Sequence, residues 1–204
     1  MCCLFGFVDY AGSLSVKQRN RLIRELSIAA EARGTDATGI AYNTSRGLQV
    51  YKRPLAAHRL HLRIPAEARA VMGHTRMTTQ GSAKKNYNNH PFFGHVKEES
   101  FALAHNGVLW NDLELRHAKH LPRTKVQTDS YIAVQLLEQK KSLDFDSLRY
   151  MAEQVEGSFS FTVLDEQSAL WIVKGDSPLS IAYFPERGVY VYASTAEILN
   201  RALT

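Results

Sequence analysis

Runs of apolar residues divide the chain into strands near both ends and amphipathic helices between them. The first run, residues 2–8, is apolar on both faces and predicts a buried central strand. Residues 13–33 carry apolar side chains at helical spacing, which predicts a helix that Ser13 or Ser15 caps and Gly34 ends. This arrangement favours layered sheets and helices over a regular βαβ repeat.

The remaining elements follow from the same patterns. A polar stretch over residues 75–89 predicts a loop. Further strands are expected at residues 38–43, 48–52, 68–74, 101–105, 159–164, 169–173, 180–183 and 189–193, and helices at 111–120, 128–139, 145–153 and 195–203.

Composition and charge narrow the class of protein. The chain has 204 residues, 45% hydrophobic and 22% charged, which is typical of a single globular domain over residues 1–204. No apolar run approaches the length of a membrane span, so no membrane partner is expected. The net charge is +5, but the basic residues are scattered and predict a solvated surface with no nucleic-acid partner.

Cys2 and Cys3 are adjacent, which disfavours a disulfide and favours a reducing, cytoplasmic location. Cys2 is small enough for the initiator Met1 to be removed, and we expect this removal to give Cys2 a free α-amine. Because an α-amine has a pKa of about 8, it can serve as the base for the thiol of the same residue. The alternative is a small buried hydrophobic residue, the usual role of a free cysteine.

A series of short segments resembles, in order, the signature of class II glutamine amidotransferases, which are N-terminal-nucleophile hydrolases. These segments are residues 33–41, 73–76, 79–81, 89–92, 105–107, 128–130 and 193–197. The resemblance implies an α+β fold, a four-layer αββα sandwich of two antiparallel sheets flanked by helices. Two positions depart from the pattern: Cys3 stands where glycine is usual, and Met77 where an aromatic residue is common. Because neighbouring residues in a strand point to opposite faces, Cys2 and Cys3 face opposite ways. Cys3 is therefore expected to be buried and to have no role in the reaction.

The resemblance assigns the catalytic roles to Cys2, Asn106 and Gly107. Cys2 is the expected nucleophile. The side-chain NH2 of Asn106 and the backbone N–H of Gly107 are the expected oxyanion hole. Asn-Gly is also the strongest short signal of a type I′ hairpin turn, which is the alternative interpretation of this pair.

Arg76 and Asp129 are the expected contacts for the amino-acid end of a glutamine substrate. The guanidinium of Arg76 can bind an α-carboxylate through two hydrogen bonds, and the carboxylate of Asp129 can pair with an α-ammonium. The alternatives are a surface ion pair for Arg76 and a helix N-cap for Asp129, and the second is compatible with binding.

Thr79, Gln80 and His90 match family positions that line the glutamine pocket, although His90 can equally be a structural histidine before Pro91. Arg33 and Asp36 are interpreted as scaffold residues that organise the N-terminal strand. His74 and His105 are interpreted as packing residues or supports for the site.

Two pairs of histidines at helical spacing, His58 with His61 and His117 with His120, raise the possibility of a metal site. No carboxylate or cysteine stands near either pair at ligand spacing, so no metal is expected. No phosphate-binding loop is recognisable, and no cofactor is expected.

The expected reaction is hydrolysis of the side-chain amide of L-glutamine through a Cys2 thioester, releasing glutamate and ammonia. A synthase or other acceptor protein, not encoded in this chain, is the expected recipient of the ammonia, since the chain matches the family's stand-alone form. Two alternatives remain open: hydrolysis of another γ-glutamyl amide, and a non-catalytic regulatory subunit with the same fold.

Overall fold

The computed structural model describes residues 2–204, which form two antiparallel sheets packed face to face with helices on their outer sides. The strands are β1 (Cys3–Asp9), β2 (Ala37–Thr44), β3 (Gly47–Arg53), β4 (Ala70–Arg76), β5 (Phe92–Val96), β6 (Glu99–Leu109), β7 (Gly157–Asp165), β8 (Leu170–Lys174), β9 (Ser180–Phe184) and β10 (Val189–Ala193). The helices are α1 (Val16–Ala29), α2 (Asp112–Ala118), α3 (Tyr131–Lys140), α4 (Phe145–Gln154) and α5 (Ala196–Leu203).

The first sheet, sheet A, has the strand order β3-β2-β4-β1-β10-β9, and the second, sheet B, has the order β5-β6-β7-β8. The N-terminal strand β1 therefore lies in the middle of sheet A, between β4 and β10. This position confirms the predicted central strand and brings the start of the chain next to the end of β4.

Three apolar layers hold the sandwich together, because each sheet buries side chains on both faces. Between the sheets lie Leu4, Met72, Ala104, Leu164 and Tyr192. The outer face of sheet A packs against α1 and α5 through Phe5, Phe7, Ile23, Leu26 and Leu199. The outer face of sheet B packs against α3 and α4 through Leu103, Ile132, Leu136, Met151 and Phe161. These layers confirm the predicted four-layer αββα sandwich.

Capping residues fix the ends of the first and last helices. Ser15 caps α1 by accepting from Gln18 N at 3.2 Å, while Gln18 Oε1 accepts from Ser15 N at 2.8 Å. Thr195 caps α5 by accepting from Ile198 N at 3.3 Å. Of the two predicted caps for α1, the structure therefore uses Ser15.

Three predictions about the elements need correction. The α-helix predicted over residues 13–33 ends at Ala29 and continues as a 3-10 turn, Ala30–Arg33. The sixth strand does not end at residue 105 but continues to Leu109. Strand β5 was not predicted, although its side chains alternate between buried and exposed.

No helix within residues 2–204 is both long and apolar enough to cross a membrane. Cys2 and Cys3 are both free thiols. The expected removal of Met1 concerns a residue outside the described part of the chain.

Candidate active site

Cys2 lies directly before β1, at the end of sheet A where β4 finishes with Arg76. The antiparallel register pairs Cys3 with Thr75, so the next pair along the ladder is Cys2 and Arg76. Sheet pairing, rather than proximity in sequence, thus brings the expected nucleophile and the expected carboxylate-binding residue together.

The thiol of Cys2 is half-buried, and its Sγ donates to the carbonyl of Met77 at 3.5 Å. Burial raises the pKa of this thiol above its ordinary value, while the Met77 contact and the charge of Arg76 lower it and the charge of Asp129 raises it. Because burial is the largest effect, the resting group is a neutral thiol. Attack on a carbonyl therefore requires a base that removes its proton.

The buried guanidinium of Arg76 is already oriented by neighbouring groups. It donates to Asn89 Oδ1 at 2.8 Å, to the carbonyl of Gln80, and to that of Gly81 at 3.5 Å. Burial lowers the pKa of Arg76, and the charges of Cys2, Asp36 and Asp129 raise it. Since a guanidinium has five N–H donors, these contacts leave donors available for a ligand.

The carboxylate of Asp129 is buried, and its Oδ2 accepts from the backbone N–H of Leu109 at 2.6 Å. Burial raises the pKa of Asp129, while hydrogen bonds from the backbone of Leu109 and Ser130 lower it. Asp129 stands just before α3, but the cap of this helix is Ser130. The predicted alternative of an N-cap at Asp129 is therefore wrong.

Arg76 and Asp129 both act electrostatically on Cys2, with opposite signs. Within residues 2–204, neither one forms an ion pair with the other or with any further residue. The site therefore holds a buried cation and a buried anion that both influence the thiol and do not neutralise each other directly.

Asn106 lies inside β6, opposite Ser160 of β7, and is buried. Its Nδ2 donates to Ser194 Oγ at 3.2 Å, and the same oxygen accepts from Leu4 N at 2.9 Å. Ser194 therefore connects Asn106 to the strand that begins beside Cys2. The Oδ1 atom of Asn106 is buried without a hydrogen-bond partner among the described residues.

Gly107 adopts φ +143°, a backbone conformation that favours glycine, and it pairs with Phe159 inside the ladder. A Cβ atom at this position would lie 1.9 Å from the carbonyl oxygen of Ser158. The Asn-Gly pair is therefore part of a continuous strand, and the alternative of a hairpin turn is wrong.

The other expected pocket residues lie in two different environments. The side chains of Thr79 and Gln80 are exposed in the loop after β4, and Gln80 contacts Arg76 through its carbonyl. His90 is buried between the sheets, with its ring centre 4.2 Å from that of His74 and 4.3 Å from that of Phe92. The lining of a substrate pocket by these three residues stays a prediction.

Arg33 and Asp36 contact the backbone around the site. Arg33 Nε donates to the carbonyl of Cys2 at 2.9 Å, and Asp36 Oδ2 accepts from Thr78 N at 2.8 Å. These contacts hold the start of the chain and the loop after β4, which agrees with the scaffold role expected for both residues.

Sequence reasoning assigned no role to Asn89 or Ser194, which orient Arg76 and Asn106. Both stand inside segments of the family pattern, at residues 89–92 and 193–197. Their position within these segments was the available sequence signal. The sequence does not show, however, which group the side chain of a short polar residue will contact in the folded protein.

A groove of about 370 Å³ between α1, α5 and β9 contains none of these residues. It is lined by apolar side chains that include Leu22, Phe184 and Leu203. The residues expected to form the site thus lie at the strand ends and not in this groove, which Arg21, Glu25 and Arg187 also line.

The fold of this chain is shared by solved structures of larger enzymes. A glutamine phosphoribosylpyrophosphate amidotransferase from B. subtilis, solved with ADP and GMP, superposes with a TM-score of 0.73 at 21% identity, covering 98% of this chain and 43% of that chain. The structure of the allosteric regulatory enzyme of purine biosynthesis superposes with a TM-score of 0.78 at 20% identity, with the same coverage. These superpositions define the fold as that of the N-terminal-nucleophile glutamine amidotransferase domains.

The profile of the family described as "Glutamine amidotransferase domain" matches residues 74–201, and the chain belongs to this family. Its adjacent N-terminal cysteines fit class II.

Relatives include glutamine–fructose-6-phosphate aminotransferases (isomerizing). That of Bacillus licheniformis is 31% identical over 86% of this chain and 30% of the relative, and that of Thermus thermophilus is 33% identical over 81% and 27%. The chain thus spans about 30% of the length of these relatives.

Proposed function

We propose that the chain hydrolyses the side-chain amide of L-glutamine, with Cys2 as the nucleophile, and releases glutamate and ammonia. The observation that carries the proposal is that Arg76 and Asp129, neither of which has an ion-pair partner among the described residues, both act electrostatically on the Cys2 thiol. A buried ion without a counter-ion is costly, so the pair favours a ligand that supplies both missing charges. The α-carboxylate and α-ammonium of an amino acid meet this requirement.

Substrate binding positions the amide. The guanidinium of Arg76, already held by Asn89, takes the α-carboxylate, and Asp129 takes the α-ammonium. With both ends fixed, the side-chain amide of glutamine extends towards Cys2. Such fixed placement is itself a large part of the rate advantage of an enzyme.

The first chemical step forms a thioester. After removal of Met1, the α-amine of Cys2 takes the proton of its own thiol, and the sulfur attacks the amide carbon. Asn106 and the N–H of Gly107 donate to the oxygen of the tetrahedral intermediate. When the C–N bond breaks, the α-amine returns the proton to the leaving nitrogen, which departs as ammonia.

The second step hydrolyses the thioester. The α-amine takes a proton from water, the hydroxide adds to the carbonyl carbon, and the C–S bond breaks. The thiol regains its proton and glutamate leaves, so neither a metal nor a cofactor takes part. We propose that the ammonia is used by a synthase or acceptor protein outside this chain, because the longer relatives are named for transfer to another substrate.

Two matched cysteine variants test the proposal. We expect Cys2→Ala to abolish ammonia release from glutamine, because the nucleophile is lost, and Cys3→Ala to retain most of it, because the Cys3 side chain packs in the apolar layer between sheet A and the helices. The measurement is ammonia production under saturating glutamine. Equal activity of the two variants would refute the assignment of Cys2.

The same assay includes a panel of γ-glutamyl amides with larger leaving groups. In the proposed complex, Arg76 and Asp129 bind only the amino-acid end of the substrate. The panel therefore decides whether ammonia is the preferred leaving group. Faster cleavage of a larger amide would show that this amide, rather than glutamine, is the preferred substrate, and the proposed mechanism would still apply. No turnover of any member by the isolated chain would favour a regulatory subunit.

A further inference from the structure

Two buried side chains outside the proposed catalytic set, His105 and Ser130, connect β6 with the segment that carries Asp129. His105 directly precedes Asn106, and Ser130 directly follows Asp129. Their side chains meet, with His105 Nδ1 2.8 Å from Ser130 Oγ. This contact joins the side of the site expected to bind the ammonium to the side expected to hold the oxyanion.

The direction of this hydrogen bond follows from the second ring nitrogen. His105 Nε2 lies 3.2 Å from the carbonyl oxygen of Ser158, which can only accept, so Nε2 carries the hydrogen. Burial lowers the pKa of His105 to about 4, and the ring is neutral near pH 7. Nδ1 is therefore an acceptor, and the hydroxyl of Ser130 donates to it. The alternative acceptor, Asp129 Oδ1, is farther from this hydroxyl, at 3.5 Å.

A second contact joins the same two segments on the other side of Asn106 and Gly107. Leu109 N donates to Asp129 Oδ2 at 2.6 Å. Residues 129–130 therefore hold β6 at two points, one before the Asn-Gly pair and one after it. His74 Nε2 adds a third point by donating to the carbonyl of His105 at 3.0 Å, which ties this stretch to the strand that ends in Arg76.

We propose that Ser130 and His105 are positioning residues that couple binding of the α-ammonium at Asp129 to correct placement of Asn106 and Gly107 against the amide oxygen. The inference rests on the proposed function. Its physical basis is that small displacements of catalytic donors reduce a rate strongly. Without the Ser130 hydroxyl, Asp129 keeps its contact with Leu109, but the stretch before Asn106 loses its connection to the ammonium site.

The test uses Ser130→Ala in the full chain with two substrates. One is L-glutamine, and the other is glutaramate, which has the same carboxylate and amide but no ammonium. We expect Ser130→Ala to lower kcat for glutamine about tenfold, the order of one lost hydrogen bond, with a smaller change in KM. Turnover of glutaramate is expected to stay nearly constant, so the preference for glutamine shrinks.

Thr128→Val is the matched control. Its hydroxyl is buried in the same segment but has no hydrogen-bond partner among the described residues, so both turnover rates are expected to stay unchanged. Equal losses on both substrates in Ser130→Ala indicate general damage and overturn the inference. An unchanged kcat for glutamine also overturns it.

Two variants of His105 provide a rescue experiment. The ring stacks on Phe161 with centres 4.6 Å apart, so His105→Phe preserves packing but removes both ring nitrogens. His105→Asn restores an acceptor near the position of Nδ1. We expect the preference for glutamine over glutaramate to be greater in His105→Asn than in His105→Phe, and the reverse order contradicts the inference. A wild-type chain that releases no ammonia would overturn the proposed function and this inference together. If the wild type is active, the variants test this inference separately from the proposed function.

Discussion

At the scale of single residues, the candidate site contains two buried charges, those of Arg76 and Asp129, that have no counter-ion among the described residues. Arg76 is held by one side chain and by backbone carbonyls, and Asp129 by backbone N–H groups. Neutral dipoles stabilise such charges only in part, so we propose that an incoming zwitterion gains two charge-assisted contacts at once. We infer that recognition of the amino-acid end arises from this electrostatic arrangement.

Replacement of Arg76 by lysine tests that recognition. Lysine keeps the charge but loses the planar fork that binds a carboxylate through two hydrogen bonds, so we expect Arg76→Lys to raise KM for glutamine at least about tenfold. Steady-state kinetics measure the change. Arg53→Lys is the control, because Arg53 is exposed and its guanidinium lies over the ring of Tyr51. An unchanged KM in Arg76→Lys would remove Arg76 from the substrate site.

The individual site residues were predictable from the sequence only as members of a pattern. The register of β1 and β4 explains why Cys2 and Arg76, far apart in sequence, become neighbours. The roles of Asn89 and Ser194 depend on which atom each side chain reaches, and that follows from the packed structure. The burial of Cys3, by contrast, was expected from strand alternation and is confirmed.

At the scale of elements, β6 shows how tertiary structure overrides a local turn signal. Asn106-Gly107 is the strongest short hairpin signal, yet the strand continues to Leu109. Pairing with β7 extends through Gly107 to Leu109, and the contact of Leu109 with Asp129 holds the end of the strand. A local dipeptide rule contains no information about such long-range partners.

The strand geometry at Gly107 gives a prediction on stability. Alanine at this position must adopt an unfavourable positive φ and must also displace the backbone of Ser158, so we expect Gly107→Ala to lower the free energy of unfolding by several kcal/mol, about 3 or more. Denaturant unfolding measures the loss. Gly47→Ala is the matched control, because Gly47 has φ +91° but its nearest neighbour to a Cβ is 3.9 Å away. Its expected loss is only about 1 kcal/mol, and equal losses would show that steric overlap at Gly107 is unimportant.

The missed strand β5 has a similar explanation. Its alternation spans only five residues, and Gly94 interrupts the apolar pattern. The strand forms because β6 pairs with it from Phe92 to Val96 and α3 covers its apolar side chains. Short edge strands of this kind are specified by their partners more than by their own residues.

At the scale of the whole molecule, the layers of the sandwich bury polar residues as well as apolar ones. His74, His90 and His105 are all buried, and His90 has no hydrogen-bond partner for either ring nitrogen among the described residues. Burial lowers the pKa of His74 to about 3 and that of His105 to about 4, and it places the pKa of His90 well below 6.5. The folded protein therefore keeps these rings neutral.

This burial predicts a loss of stability in acid. Between pH 6.5 and about 4, the unfolded chain binds protons at these histidines and the folded chain does not, so the free energy of unfolding falls as the pH falls. Each such histidine contributes about 1.4 kcal/mol per pH unit. We expect His90→Phe to reduce the slope by about this amount, as measured by denaturant unfolding at several pH values.

The control for the pH experiment is His61→Asn, since His61 is exposed. Its slope is expected to match that of the wild type. Equal slopes for all three proteins would mean that His90 accepts a proton in the folded state, contrary to its burial.

The overall architecture was predictable from the sequence through the family pattern rather than through periodicity. Apolar patterning located most strands and helices, but it could not give the strand order or the division into two sheets. Those features depend on contacts such as that of β1 with β10, whose paired residues lie at opposite ends of the chain. Local patterns do not encode them.

The most direct test of the account is intact mass analysis after treatment with a glutamine-like electrophile. We predict a chain that lacks Met1 and carries one adduct on Cys2, with no adduct in the Cys2→Ala variant and normal labelling in Cys3→Ala. An active protein that retains Met1, or an adduct located on Cys3, would contradict the central claim.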